Sequence, residues 1–418
     1  MLKKEVLKEV ITLKIIKGGV TTAKGFMAAG IHAGIKKHKK DMALVYTDIP
    51  AKGAGVFTNN IVKAAPVHWG MKVTKESKTI QAVVLNSGIA NACTGQEGKD
   101  NNQAMAEMTA NALEILPSEV YTASTGVIGP QLPMEKIKKG IEALKENLSA
   151  EKKSGLMAAE AIMTTDTYPK ECAVSFMLGQ KEVLIGGMSK GSGMINPNMA
   201  TLLGVITTDI SISKELLHEA LREDVKQTFN MVSVDGDTST NDSIFILANG
   251  AAANEEIKTK NEDYYRFTKA LNIVTTELAK MIARDGEGAS KLLEVQVEGA
   301  SSHEDAVKIS KSIVKSSLVK TAIYGEDANW GRILCAMGYS EADFDPDKVS
   351  LYIESKFGTL QILEEGVATQ YSESQASKIL SSKEIKIIVK LNEGQEKAMA
   401  WGCDLSYDYV KINADYRS

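Results

Sequence analysis

Chemistry in this chain concentrates in the run NPNMATLLGVITTD, from Asn196 to Asp209, which sets Thr201 behind a turn and at the head of an apolar strand. Asn196-Pro197 disfavours helix and favours a turn, while LLGVIT has the aliphatic, β-branched character of a buried strand. A hydroxyl held there is placed to attack the carbonyl of Ala200, whose small side chain leaves that carbonyl uncrowded. Attack would convert the peptide to an ester. Water would then release two chains and leave Thr201 as a new N-terminus. Its free α-amine, with an ordinary pKa of roughly 7.7–8.0, is partly neutral near pH 7 and sits beside the hydroxyl it must deprotonate. The Cβ methyl also restricts χ1 and so the bearing of Oγ. A lone Ala-Thr step is otherwise an ordinary strand residue, so the remainder of the chain must decide.

Two charged residues stand in glycine-rich turns. Lys190 lies in MSKGSGM, with Gly187, Gly191 and Gly193 close by, and could take a carboxylate-bearing substrate. The order Lys-Gly-Ser is wrong for a phosphate loop, and the glycine spacing does not fit a dinucleotide fingerprint. Glu287, between Gly286 and Gly288, is the complementary anion and would suit an amino group; a lone carboxylate in such a turn is otherwise solvated. SVDGDTSTND clusters Asp235, Asp237 and Asp242 but lacks the position-six glycine of a calcium loop and puts Ile246 where its bidentate Glu belongs. A polar turn bordering the active cleft is expected instead. The histidines, 32, 38, 68, 218 and 303, form no HExxH pair or triad partner, which disfavours metal and Ser-His-Asp chemistry.

The elements that must position these residues mix strands and helices. Strands are expected at 41–48, 79–86, 171–178, 181–188, 201–209, 242–249, 292–299 and 384–391, with helices near 99–116, 134–148, 151–163, 213–230, 262–284 and 306–320. The order lacks the strict alternation of a doubly wound sheet, so an α/β assembly of stacked sheets is expected. With 44% hydrophobic and 24% charged residues over 418, the composition is that of a globular protein of one large domain plus a smaller one, or two. No apolar run reaches the roughly 18 residues of a membrane span, and the acid-interrupted start is no signal peptide, so a soluble, cytoplasmic protein is expected. Cys93, Cys172, Cys335 and Cys403 show no CxxC pairing and read as reduced buried thiols. A net charge of −4 gives no reason to expect nucleic-acid binding. Divided at Thr201, the chain has 25 Lys and no Arg against 18 acids before it (+7), and 24 basic against 35 acidic residues from it onward (−11). The two parts would attract, but only at short range.

With GGMSKGSGMINPNMATLLGVITTD in view, the chain closely resembles the glutamate N-acetyltransferase (ornithine acetyltransferase) family of arginine biosynthesis. The likeness runs through LNSGIANACTGQEG, STGVIG, AIMTTDTYPK, SVDGDTSTND, ARDGEGASK, YGEDANWGRI and CDLSYDYVKINADYRS. It implies self-cleavage between Ala200 and Thr201 into fragments 1–200 and 201–418, after which Thr201 carries an acetyl group from N-acetylornithine to glutamate, yielding ornithine and N-acetylglutamate. Thr125 and Gly126 resemble the oxyanion hole. Thr164 (rather than Thr165), Lys190, Thr201, Glu287, Asn413 and Ser418 resemble the substrate contacts, with Ser418 standing where many relatives have Thr. The implied fold is a four-layer αββα assembly of N-terminal-nucleophile type over about 1–289, followed by a smaller α/β domain from about 290 to 418. The implied assembly is two copies of each fragment. No cofactor is implied; acetyl-CoA serves some members as a second acetyl donor. Rival readings are a self-processing hydrolase or aminopeptidase of the same fold, and a non-catalytic amino-acid-binding member.

Overall fold

The computed structural model describes residues 13–196 and 202–415. A nine-stranded sheet runs in the order Lys14–Ile16, Lys170–Leu178, Lys181–Lys190, Leu203–Thr208, Ser243–Ala248, Met42–Phe57, Ile80–Ile89 and Val120–Val127, with Phe26–Ile31 paired to Met42–Phe57. The 16-residue Met42–Phe57 strand is exposed at Asp48-Ile49-Pro50, where its register with Ile80–Ile89 shifts between Tyr46 and Ala51. Its first part pairs with Phe26–Ile31 and Ile80–Ile89, and its last six residues with Ser243–Ala248. It therefore crosses between two layers.

Side-chain alternation shows the stacking. Tyr121 and Phe245 stand three strands apart in the order, yet their rings stack with centroids 4.4 Å apart. Ala43, Val45, Val83 and Leu85 share one core with Val205, Phe245 and Leu247. Their neighbours face outward: Met42, Leu44, Ala82 and Val84 meet the helices Gly95–Leu113 and Met134–Glu146. Ile206, Ile244 and Ile246 meet the helices Lys214–Gln227 and Glu262–Arg284. The result is the expected αββα arrangement, and strands buried on both faces explain why they read as unbroken apolar runs. The helix Lys152–Ile162 closes one end of the inner core, pressed so tightly on Gly30 that a Cβ there would overlap Met157 backbone.

A second sheet, of seven strands, follows the order Val367–Ala368, Gly358–Glu364, Ser350–Ser355, Glu384–Lys390, Leu292–Ala300, Glu396–Cys403 and Val232–Ser233. The Glu262–Arg284 helix leans on both sheets: Val274 and Leu278 lie over Gly187 of the first, and Lys280 pairs with Glu294 of the second at 2.9 Å. The expected helix 306–320 is two helices, His303–Lys315 and Ser317–Tyr324. Ser316 separates them because its hydroxyl accepts from Val319 N at 3.3 Å, offering the backbone a cap where the helix would have continued. Among the described residues, no helix is long and apolar enough to cross a membrane.

Candidate active site

Thr125, Gly126, Thr164, Lys190, Glu287 and Asn413, drawn from distant parts of the chain, line one cleft of about 370 Å³. Thr165 lines it as well. Leu202 and Leu203, at the start of a central strand, form part of the same wall. Thr201, Ala200 and Ser418 lie outside the described residues.

The notch at Thr125-Gly126 ends the Val120–Val127 strand, where it runs parallel to Ile80–Ile89 with Gly126 opposite Gly88 and the register shifting just beyond. Gly126 has φ +131°, and an added Cβ would lie 2.7 Å from Gly88 Cα and nearer still to its carbonyl. Only glycine allows this approach. Asn241 fixes the notch from below, donating its amide to Ala90 O at 2.5 Å and Ser124 O at 2.8 Å. Lys190 Nζ reaches Thr125 Oγ1 at 3.4 Å from the end of its strand.

Both charges expected in open turns are buried. Lys190 is 8% exposed, and burial pulls its pKa down against the opposing pull of Asp166, with Asp242 and Glu287 also holding the proton on. Glu287 is likewise 8% exposed, not solvated: its carboxylate packs on Gly193, where a Cβ would overlap it. Its backbone N donates to Ser192 O at 2.9 Å, and Asn413 Nδ2 donates to its Oε2 at 2.8 Å. Asn413 comes from the terminal helix Tyr407–Ala414, which has no buried residue of its own and stands on Gly288, at φ +69°. Cation and anion thus face one cleft, which suits a substrate carrying both an α-carboxylate and an amine.

The 233–242 segment borders the cleft as expected, contributing Ser239 to Asp242 to its wall. Asp235 accepts from Met194 N at 2.6 Å and Ile195 N at 2.8 Å, so its carboxylate organises backbone. Of the cysteines, Cys172 and Cys403 are buried, but Cys93 and Cys335 are exposed, which corrects the expectation that all four are interior. Sequence reasoning gave no role to Asp166, Lys170 and Asp285, which form a buried ion cluster beside Lys190. Their one visible signal was an acid beside a turn in each of TTDTYPK and ARDGEG.

An αββα sandwich with a cleft formed by the Thr125-Gly126 notch and the start of a central strand has the architecture of a self-processing acyltransferase. The ArgJ family model matches residues 27–418. The chain is 51% identical to the arginine biosynthesis bifunctional protein ArgJ of Caldanaerobacter subterraneus subsp. tengcongensis, covering 97% of this chain and all of that one. It is 48% identical to the protein of the same name from Thermotoga neapolitana, over 94% of this chain and 99% of that one. A solved ornithine acetyltransferase from Mycobacterium tuberculosis, complexed with ornithine, is 43% identical over 46% of this chain and 100% of that one, with TM-score 0.42. This chain belongs to the ArgJ family, and it is an acyltransferase of arginine biosynthesis.

Proposed function

We propose that the chain cuts itself between Ala200 and Thr201 and then moves acetyl from N-acetylornithine to glutamate in two half-reactions on Thr201. The Thr201 α-amine takes the Oγ proton as Oγ attacks the acetyl carbonyl. Thr125 and Gly126 supply donors to the oxyanion, a term whose loss costs about 2.7–4 kcal/mol of barrier in comparable enzymes. The amide C–N bond breaks, and ornithine departs with the proton. Glutamate's neutral amine then attacks the acetyl ester, releasing N-acetylglutamate and restoring Thr201. Lys190 takes the α-carboxylate of either amino acid, Glu287 an amino group, and Thr164, Asn413 and Ser418 complete the contacts.

The observation that carries this reading is convergence: six residues named from separate motifs, together with Leu202, the residue after Thr201, line one cleft. Acetyl-CoA is proposed as a second donor to glutamate; the word bifunctional in the relatives' names supports two activities. Cytoplasmic location and assembly as two copies of each fragment belong to the same proposal.

Denaturing electrophoresis is expected to show two bands near half length, with Thr201→Ala leaving one inactive chain. Mass spectrometry during turnover is expected to find acetyl on the fragment that begins at Thr201. Ornithine release that is indifferent to glutamate would replace this reading with a hydrolase. An uncut chain that still binds amino acids would replace it with a binding protein. Thiol release from acetyl-CoA tests the second donor, and a native mass twice the 45.1 kDa of one chain tests the assembly.

A further inference from the structure

Behind the cleft wall lies a charge cluster that the transfer chemistry does not use. Lys170 is fully buried, and its ammonium donates to Asp166 Oδ1 at 2.7 Å and Asp285 Oδ2 at 2.6 Å. These three residues come from two segments 115 positions apart. Burying three charges is costly unless each is matched, and a merely structural staple could be replaced by apolar packing at little loss.

The remaining bonds of Asp166 lead to the site directly, and those of Asp285 lead there through its backbone. Asp166 accepts from Thr164 N at 2.9 Å and from Gly191 N at 2.8 Å, so a single side chain fixes one substrate-contacting residue and the residue directly after Lys190. Burial pushes the Asp166 carboxyl up, but Lys190 and then Lys170 outweigh burial and hold it well below the usual carboxylate range. Asp285 accepts from Thr167 N at 3.0 Å and from the Thr167 hydroxyl. Its own carbonyl accepts from Ser192 Oγ at 2.6 Å, and Ser192 O receives the backbone N of Glu287. Lys170 thereby ties the Lys190 side of the cleft to the Glu287 side.

We propose that Asp166, Lys170 and Asp285 are positioning residues that set the spacing between Lys190 and Glu287. The proposal rests on the amino-acid-binding roles assigned above to Lys190 and Glu287. The charges around Lys190 are Asp166, Asp242 and Glu287 on the anionic side, and Lys170 and Lys36 on the cationic side. Removing Asp166 therefore takes away the strongest anion opposing its loss of a proton.

The test is equilibrium titration of ornithine and glutamate, alongside KM and kcat across pH, for the full enzyme and for Asp166→Asn and Asp285→Asn. Asp166→Asn is expected to raise both dissociation constants and both KM values at least tenfold, with kcat at saturation changed less. Its alkaline rise in KM is expected to begin at lower pH, because Lys190 loses its proton sooner. Asp285→Asn, more remote from Lys190, is expected to raise KM about fivefold without moving that limb. Should Asp166→Asn fail to fold, Asp285→Asn carries the test alone. Dissociation constants and KM within twofold of the parent, with only the yield or melting temperature lowered, would reduce the cluster to a structural staple and overturn the proposal. A parent enzyme that binds both amino acids without transferring acetyl would sink the functional reading instead and leave this one standing.

Discussion

Gly126→Ala puts the proposed oxyanion role of the Thr125-Gly126 notch to a quantitative test. The added methyl meets two penalties. The first is conformational: φ is +131° at this position, a region an L-residue enters at a cost of roughly 1–2 kcal/mol. The second is steric and falls on backbone. The Cβ would stand 2.7 Å from Gly88 Cα, whereas ordinary contact begins at 3.4 Å, so the strand end must give by about 0.7 Å, and by more at the carbonyl. A displacement of that size moves the donor relative to the reacting carbon, and misplacement by roughly 1 Å is worth about 10²-fold in rate. Losing an oxyanion donor altogether corresponds to 10²–10³-fold.

The expected result is a fall in kcat of about 10²-fold or more with KM nearly unchanged, since the oxyanion forms only in the transition state. Gly129→Ala separates the two penalties. Gly129 also has a positive φ, +107°, but nothing lies within 4 Å of its added Cβ. It is expected to lower stability by a similar 1–2 kcal/mol and leave kcat alone. Steady-state kinetics with thermal melts on both variants decide the matter. A Gly126→Ala enzyme with kcat within threefold of the parent would refute the assignment of this notch to the oxyanion.

Three other outcomes follow from the geometry. Ser316→Ala removes the hydroxyl that caps the Ser317–Tyr324 helix and is expected to lower unfolding free energy by about 0.5–2 kcal/mol in denaturant melts, with kinetics unchanged. Glu171 is pushed up to about 7 by burial and then by Glu160, so the folded state binds the extra proton, and stability falls as pH rises from the ordinary carboxylate range through 7. Glu171→Gln is expected to raise stability at pH 8 by about 1–2 kcal/mol, a figure reduced from about 3 because the group is partly exposed, with no gain at pH 4. Asn413→Ala removes the donor at 2.8 Å from the buried Glu287 carboxylate and is expected to raise KM three- to tenfold and to lower unfolding free energy by about 1–3 kcal/mol.

Much of the αββα layer was readable because its central strands are buried on both faces. VLIGGM and SIFILA have few other uses in a globular chain. The strand Val120–Val127 went unread because YTASTGV is small and polar, yet it carries the notch. Its character serves the site rather than the core. The helix Ala65–Glu76 was hidden by its opening Ala-Pro-Val, although proline suits a first turn. Lys190 and Glu287 were identifiable as candidates, but their burial was not. Burial of a charge depends on what the chain brings against it from far away, here Asp166 for one and Gly193 for the other. The Asp166–Lys170–Asp285 cluster was invisible for the same reason, since no spacing rule relates residues 115 apart.

The strand order also explains how the chain would stay whole after the proposed cut at Ala200-Thr201. The strands Leu203–Thr208 and Ser243–Ala248 fall after the proposed cleavage position, and they are parallel neighbours. Lys181–Lys190 borders the pair on one side and Met42–Phe57 on the other, and both belong to the segment before it. The second fragment would therefore occupy the middle of the first fragment's sheet. Separation would break two backbone ladders at once and expose Val205, Phe245 and Leu247, whose core partners Ala43, Val45, Val83 and Leu85 belong to the other segment. Buried groups of this kind contribute roughly 1.5–3 kcal/mol each, well beyond what screened surface charges supply. The opposite charges of the two segments, +7 and −11, are then a minor aid. Raised salt is expected to leave the fragments together, whereas denaturant strong enough to open the sheet should part them in the same transition that unfolds it.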